Sequence, residues 1–256
     1  MKKLLLFATL FFVSLLFSTC SVGKKTATIP VRQTFTFDYK SPSSGKPNAA
    51  GIVVGLVKPK YAARFEYSGS DIFVNFRDAF ENDLKELIID KGFTIQNVYP
   101  EFANLTYQDK LRADIALDIE IDPRFSTPNG DGWKTYTPFQ FSASGNVRHE
   151  YGFVGSVSLI GKINITGREP LSHETIWVKS IEIPTIGSVD ISTYYRYNEP
   201  VFNANFYNDP NVYNSLGAAL QKQYAAIFQQ LDSYLDPREF TDLKPQIKEL
   251  KSKKVY

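Results

Sequence analysis

The sequence predicts an α+β fold: a two-layer sandwich in which a largely antiparallel sheet carries long helices on one face. Three observations lead there. Two long stretches, one in each half of the chain, repeat apolar residues at three- and four-residue steps, as a helix with one buried face must. Segments between them alternate apolar and polar residues, the mark of a strand with one dry face. Turn residues part those strands at hairpin spacing, and no internal repeat or linker divides the chain.

The N-terminal region is read first. Lys2 and Lys3 precede an apolar run over residues 4–17, and small residues follow at Ser18 and Thr19. This is the pattern of a secretory signal peptide. The run falls short of the about 20 residues a membrane-spanning helix needs. Two cleavages fit: ordinary signal peptidase cutting before Ser21, or lipoprotein processing at "FSTC", which makes Cys20 the mature N-terminus. Phe17 stands where Leu is usual in a lipobox. Cys20 is the one cysteine of the chain, so in an exported protein it has no internal disulfide partner. A diacylglycerol thioether plus an amide-linked acyl chain supplies the two anchors stable attachment needs. The expected organisation is a lipoprotein signal peptide over residues 1–19, a polar tether over 20–30 and a single α+β domain over 31–256. Loss of Lys2 and Lys3 leaves 27 basic against 27 acidic residues. Such a neutral chain offers no overall field for nucleic acid.

The elements follow in order. "VRQTFTFDY" (residues 31–39) alternates and reads as a strand, and "KSPSSGKPNAAG" after it as a loop. "GIVVGLVKP" (51–59) is near-continuously apolar, as in a strand buried on both faces. The first helix begins after Ser70. Phe73, Phe76, Phe80, Leu84 and Leu87 form its stripe, and Gly92 sits where a helix C-terminus favours a left-handed residue. A strand over 93–99 completes a strand–helix–strand unit. In "ADIALDIEID" (113–122), Ile115, Leu117, Ile119 and Ile121 face one way, and Asp114, Asp118, Glu120 and Asp122 the other. Long strands then run between residues 138 and 191, with "GREPLSH" as a hairpin turn. Residues 194–214 are aromatic and Asn-rich without a period. The second helix begins near Pro210, with a stripe of Tyr213, Leu216, Leu220, Tyr224, Ile227, Leu231 and Tyr234, and a shorter basic piece follows Pro237.

No HExxH, GxSxG, phosphate-binding loop or CxxC occurs, so no enzymatic activity and no cofactor are expected. His149 and His173 lie in strand-like surroundings and read as solvated or hydrogen-bonded. Asp118, Glu120 and Asp122 lie about 6.6 Å apart at alternate positions. They could share a cation, but a half-buried strand puts such groups outward, paired with a neighbour such as Lys162. Asn129 and Asp131 lie in a Gly-rich turn that lacks the ligand spacing of a calcium loop. The candidate ligand-binding residues are Trp133 with Tyr136, and Tyr195, Arg196, Tyr197 and Asn198. Their rings can pack on sugar faces and their polar groups can read hydroxyls.

Three stretches carry a family resemblance: "GIVVGLVKPKYAARFEYSGSDIFVNFRDAFENDLKELIIDKGFTIQNV", "GKINITGREPLSHETIWVKSIEI" and "YNSLGAALQKQYAAIFQQLDSYLDPREFTDLKPQIKELKSKK". In these the chain resembles the neuraminyllactose-binding haemagglutinin family of bacterial surface lipoproteins. The resemblance covers about half of the mature chain and lies in the order and texture of the elements. It implies a two-layer α+β domain on a lipid anchor at the outer membrane or cell surface, with adhesion and sialic-acid binding. Ser21 after the cysteine also resembles an outer-membrane sorting signal. The family's sugar-binding stretch is rich in Lys and Arg, whereas residues 122–136 here hold only Arg124 and Lys134, so no binding residue is carried over. The expectation is an adhesin-like lipoprotein that meets a glycan or a host protein. The alternative is a periplasm-facing structural lipoprotein of an envelope or secretion assembly.

Overall fold

The structure, a computed structural model, describes residues 30–42, 48–126, 132–136 and 149–253. Cys20 and nearly all of the expected tether, as well as Asn129 and Asp131, lie outside the described residues. The chain divides into Met1–Pro30 and one compact unit, Val31–Tyr256.

The apolar run forms β1 (Val53–Val57), whose Val54 and Leu56 are buried in the main core. It lies between two parallel partners, β3 (Thr94–Tyr99) and β4 (Ile115–Ser126). The link from β1 to β3 carries β2 (Lys60–Tyr61), which also pairs with β4, and then helix α1 (Asp71–Asp90). This helix buries the expected stripe. Phe73, Phe76 and Phe80 are all at most 3 % exposed, each contributing roughly 1.5–3 kcal/mol. It stops because Gly92 turns left-handed (φ +85°), with its N–H donating to the Ile89 carbonyl at 2.8 Å.

Beyond β4 the sheet becomes antiparallel. β4 pairs with β6 (Glu150–Arg168), which also pairs with β5 (Trp133–Tyr136) and with β7 (Thr175–Ser192). The seven-stranded sheet is therefore mostly antiparallel, with a parallel side around β1. The β6–β7 hairpin turns on Glu169. Its buried carboxylate accepts the N–H groups of Leu171 (3.1 Å) and Ser172 (2.6 Å). His173, the last residue of the expected "GREPLSH" turn, adopts φ +64° inside it. His149 is exposed just before β6.

A short helix α2 (Tyr107–Arg112) precedes β4, and four helices close the chain: α3 (Ala204–Asn208), α4 (Pro210–Tyr234), α5 (Pro237–Asp242) and α6 (Lys244–Ser252). α4 packs chiefly on β7, burying Tyr213, Leu216, Leu220, Tyr224, Ile227 and Leu231, while Tyr234 is half-buried. The α1 and α4 stripes share one core with Ile115, Leu117, Ile119 and Ile121 of β4 and with Ile163 and Ile165 of β6. A small cluster of Tyr99, Leu105 and Ala116, with Phe102 against it, forms a separate patch beside this core.

Residues 31–39 correct the sequence reading. They alternate in burial as predicted, with Phe37 and Tyr39 buried, but among the described residues they pair with no strand. The segment is a strap across the helices. Phe35 lies 5.7 Å from the Tyr213 ring, Phe37 5.4 Å from Phe76, and Tyr39 5.1 Å from Phe228. Helix side chains take the place of a neighbouring strand for its backbone. The Asn214 carboxamide accepts from the Gln33 N–H and donates to the Val31 carbonyl, Gln221 donates to the Thr36 carbonyl, and Asp83 accepts from the Tyr39 N–H.

Candidate functional site

The site is built around one buried carboxylate. Asp209, 1 % exposed, caps α4 by accepting from the Asn211 N–H at 2.9 Å, and Pro210 occupies the first helical turn, where a missing N–H costs nothing. Its other oxygen accepts the N–H groups of Tyr194 (2.7 Å) and Tyr195 (2.9 Å). One side chain therefore starts the long helix and fixes the path of the loop facing it. The Tyr197 hydroxyl lies 3.4 Å from the same carboxylate, and burial, reinforced by that charge, pushes its pKa up. Tyr197 also exchanges two backbone hydrogen bonds with Tyr151, each 2.7 Å. Asn203 caps α3 by accepting from the Phe206 N–H at 3.0 Å.

Between this loop and α3 lies an open depression of about 540 Å³. Tyr195, Arg196, Tyr197 and Asn198 line it, as the sequence suggested. Asn203, Asn205 and Asn208 line it too, together with Asp209; the Asn203 and Asn208 carboxamide oxygens accept from the Phe206 and Asp71 N–H groups. The sequence reading noted the Asn-rich run but stopped at Asn198. Hydrophobic spacing says nothing about residues 203–208, and only the fold turns α3 back over the loop. Among the described residues the carboxamides of Asn198 and Asn205 make no hydrogen bond.

Trp133 and Tyr136 adjoin the depression without lining it. The Trp133 ring sits in an aromatic cluster, 5.4 Å from Phe153, 5.5 Å from Phe202 and 5.6 Å from Phe206. The Tyr136 ring is covered by the Arg196 guanidinium at 4.6 Å, and Arg196 also donates to Glu150 at 3.1 Å. Both side chains support the loop and leave the surface of the depression to their neighbours.

The acidic strand resolves differently from the solvated face expected. Asp122 is 1 % exposed and accepts a two-pronged hydrogen bond from Arg64, with Arg124 at 3.7 Å. The Arg64 hydrogen bonds hold its carboxyl below the usual range against the opposing effect of burial. Lys162 is its cross-strand neighbour and acts from further away. Lys60, on β2, pairs with Asp118 at 3.6 Å. Among the described residues no group of three His, Cys, Asp or Glu side chains could hold a metal ion, and no helix is long and apolar enough to cross a membrane.

No family model and no curated protein matches the chain. Solved structures do. The chain is similar to a crystal structure described as a neuraminyllactose-binding hemagglutinin homolog from Helicobacter pylori, at 13 % identity and TM-score 0.54, over 84 % of this chain and 100 % of that one. A Xanthomonas campestris protein described as DUF330 matches at 9 % identity and TM-score 0.35, over 78 % and 91 % of the two chains. A hypothetical protein of Chlamydia trachomatis matches at 14 % identity and TM-score 0.35, over 72 % and 97 %. At such identity the first of these shows a shared fold.

Proposed function

We propose that this protein is a lipid-anchored envelope protein that binds a hydroxyl-rich ligand, a glycan, in the Asn- and Tyr-lined depression. One observation carries the reading: four asparagines and two tyrosines converge on a single concave surface held by the buried Asp209. The unengaged carboxamides of Asn198 and Asn205 present donors and an acceptor at once, which matches the mixed donor and acceptor pattern of sugar hydroxyls. The exposed Tyr195 ring gives an apolar face beside them. The fold shared with the hemagglutinin homolog agrees with a binding role, and the lone Cys20 after an apolar run supports the anchor.

The electrostatics favour a neutral sugar over a sialylated one. Among the described residues Arg196 is the sole cation lining the depression, and it is already engaged by Glu150 and Tyr136. Glu199 and Asp209 line the same surface, so a ligand carboxylate would meet more negative than positive charge. A glycan array probed with the mature chain, carrying both neutral and sialylated oligosaccharides, tests the reading. Saturable signal on neutral structures, lost in Asn205→Ala, is the expected result; silence across the array at millimolar ligand overturns it.

A further inference from the structure

A second concavity, of about 450 Å³, lies on the other side of the residue 202–207 segment. That is within the roughly 300–1,000 Å³ usual for small-molecule sites. Its walls are aromatic. Phe65 and Tyr67 come from the turn before α1, Phe125 from β4, and Phe202 and Tyr207 from the segment around α3. The rings brace one another, with Tyr67 4.6 Å and Phe125 5.2 Å from Tyr207, and Phe65 6.2 Å from Phe125. Such an array offers both faces and edges to a flat apolar partner.

Two arginines, Arg64 and Arg124, line the same cleft, and their side chains are 57 % and 55 % exposed. They share the one carboxylate of Asp122, leaving the trio with one net positive charge. Arg64 is committed to Asp122 through two donors. Arg124 stands 3.7 Å from it, beyond hydrogen-bond distance, so its planar fork of donors remains open to a ligand. Tyr207 supplies a third, independent sign. Its ring is buried, it lines the cleft, and its hydroxyl has no hydrogen-bond partner among the described residues and is open to a ligand.

We infer that this cleft binds a small aromatic carboxylate, with its ring system between the aromatic walls, its carboxylate on Arg124 and a polar substituent on the Tyr207 hydroxyl. Open guanidinium donors select the anion, the rings select a flat body, and the unpaired hydroxyl selects the substituent. The inference is independent of the glycan reading, since the two concavities share no lining residue.

The test uses the mature chain and three probes: 6-hydroxy-2-naphthoate, 2-naphthoate and the uncharged 2-naphthamide, titrated by calorimetry or by their own fluorescence. The expected result is saturable binding of the hydroxynaphthoate, with the amide at least tenfold weaker than 2-naphthoate. Arg124→Gln should weaken the carboxylates about tenfold and leave the amide unchanged; Arg64 keeps Asp122 paired in this variant, so folding is retained. Tyr207→Phe removes only an unpartnered hydroxyl, and should weaken 6-hydroxy-2-naphthoate while sparing 2-naphthoate. Asn205→Ala should change none of the three. Equal affinity for amide and acid, no saturable binding at millimolar probe, or an unaltered carboxylate affinity in Arg124→Gln overturns the inference.

Discussion

At the scale of single residues, two buried carboxylates carry the most weight, and their surroundings differ. Asp209 is solvated by backbone N–H groups from two segments. Asp209→Ala removes an N-cap and the brace of the ligand loop together, so it should cost about 2 kcal/mol and abolish glycan binding. Urea unfolding and a binding titration on the same variant measure both effects. Asp122 is held below the ordinary carboxylate range by Arg64. A depressed folded-state pKa gives stability that is complete above the unfolded pKa of about 3.9 and is lost as pH falls through the folded value. The stability advantage of the native chain over Asp122→Asn should therefore be constant near neutrality and shrink as pH drops below about 4. Urea midpoints at pH 3, 4 and 7 would show this; a gap independent of pH would contradict it. From the sequence, Asp122 was legible as one of several outward acids. Its burial was not, because Arg64 lies 58 residues away and reaches it only once β4 is beside the β2 segment.

At the scale of elements, the helices and strands were legible where apolar spacing repeated over several turns. The α1 and α4 stripes, the Gly92 stop and the alternation of β4 all fold as their patterns dictate. The strap over residues 31–39 shows where that logic ends. Alternation at Phe35, Phe37 and Tyr39 specifies an extended chain with one buried side, but what fills its hydrogen bonds is decided by tertiary contacts. Here Asn214, Gln221 and Asp83 do so in place of a strand. Gly217 on α4 follows from the strap: a Cβ there would lie 2.2 Å from the Phe35 ring. Gly→Ala inside a helix ordinarily stabilises by roughly 1 kcal/mol. Gly217→Ala should destabilise the native chain, yet stabilise a Phe35→Ala background by about 0.5–1 kcal/mol. A double-mutant cycle by thermal unfolding checks the sign change. Additive effects would mean that the strap does not press on the helix at this point.

At the scale of the whole molecule, the two-layer architecture followed from element order, since two long one-sided helices need one face of a sheet to cover. The parallel side around β1 was implicit in the strand–helix–strand order. The candidate surface was only partly legible: residues 195–198 could be named from composition, whereas Asn203, Asn205 and Asn208 join them through the fold of α3. The anchor is argued from Cys20 alone. Mass spectrometry of the mature N-terminus should find an acylated peptide beginning at Cys20, and Cys20→Ala should release the protein from membranes. An unmodified peptide beginning at Ser21 would contradict the anchor. Protection from protease added to intact cells would place the domain on the periplasmic side and favour an envelope-assembly role over adhesion.

The most direct test of the central claim is a calorimetric titration of the mature chain with lactose and with sialyllactose, repeated for Asn205→Ala. The account predicts saturable binding that is at least as tight for the neutral sugar and at least tenfold weaker in the variant. Binding of neither sugar at millimolar concentration, or a preference for sialyllactose that Asn205→Ala leaves untouched, would contradict it.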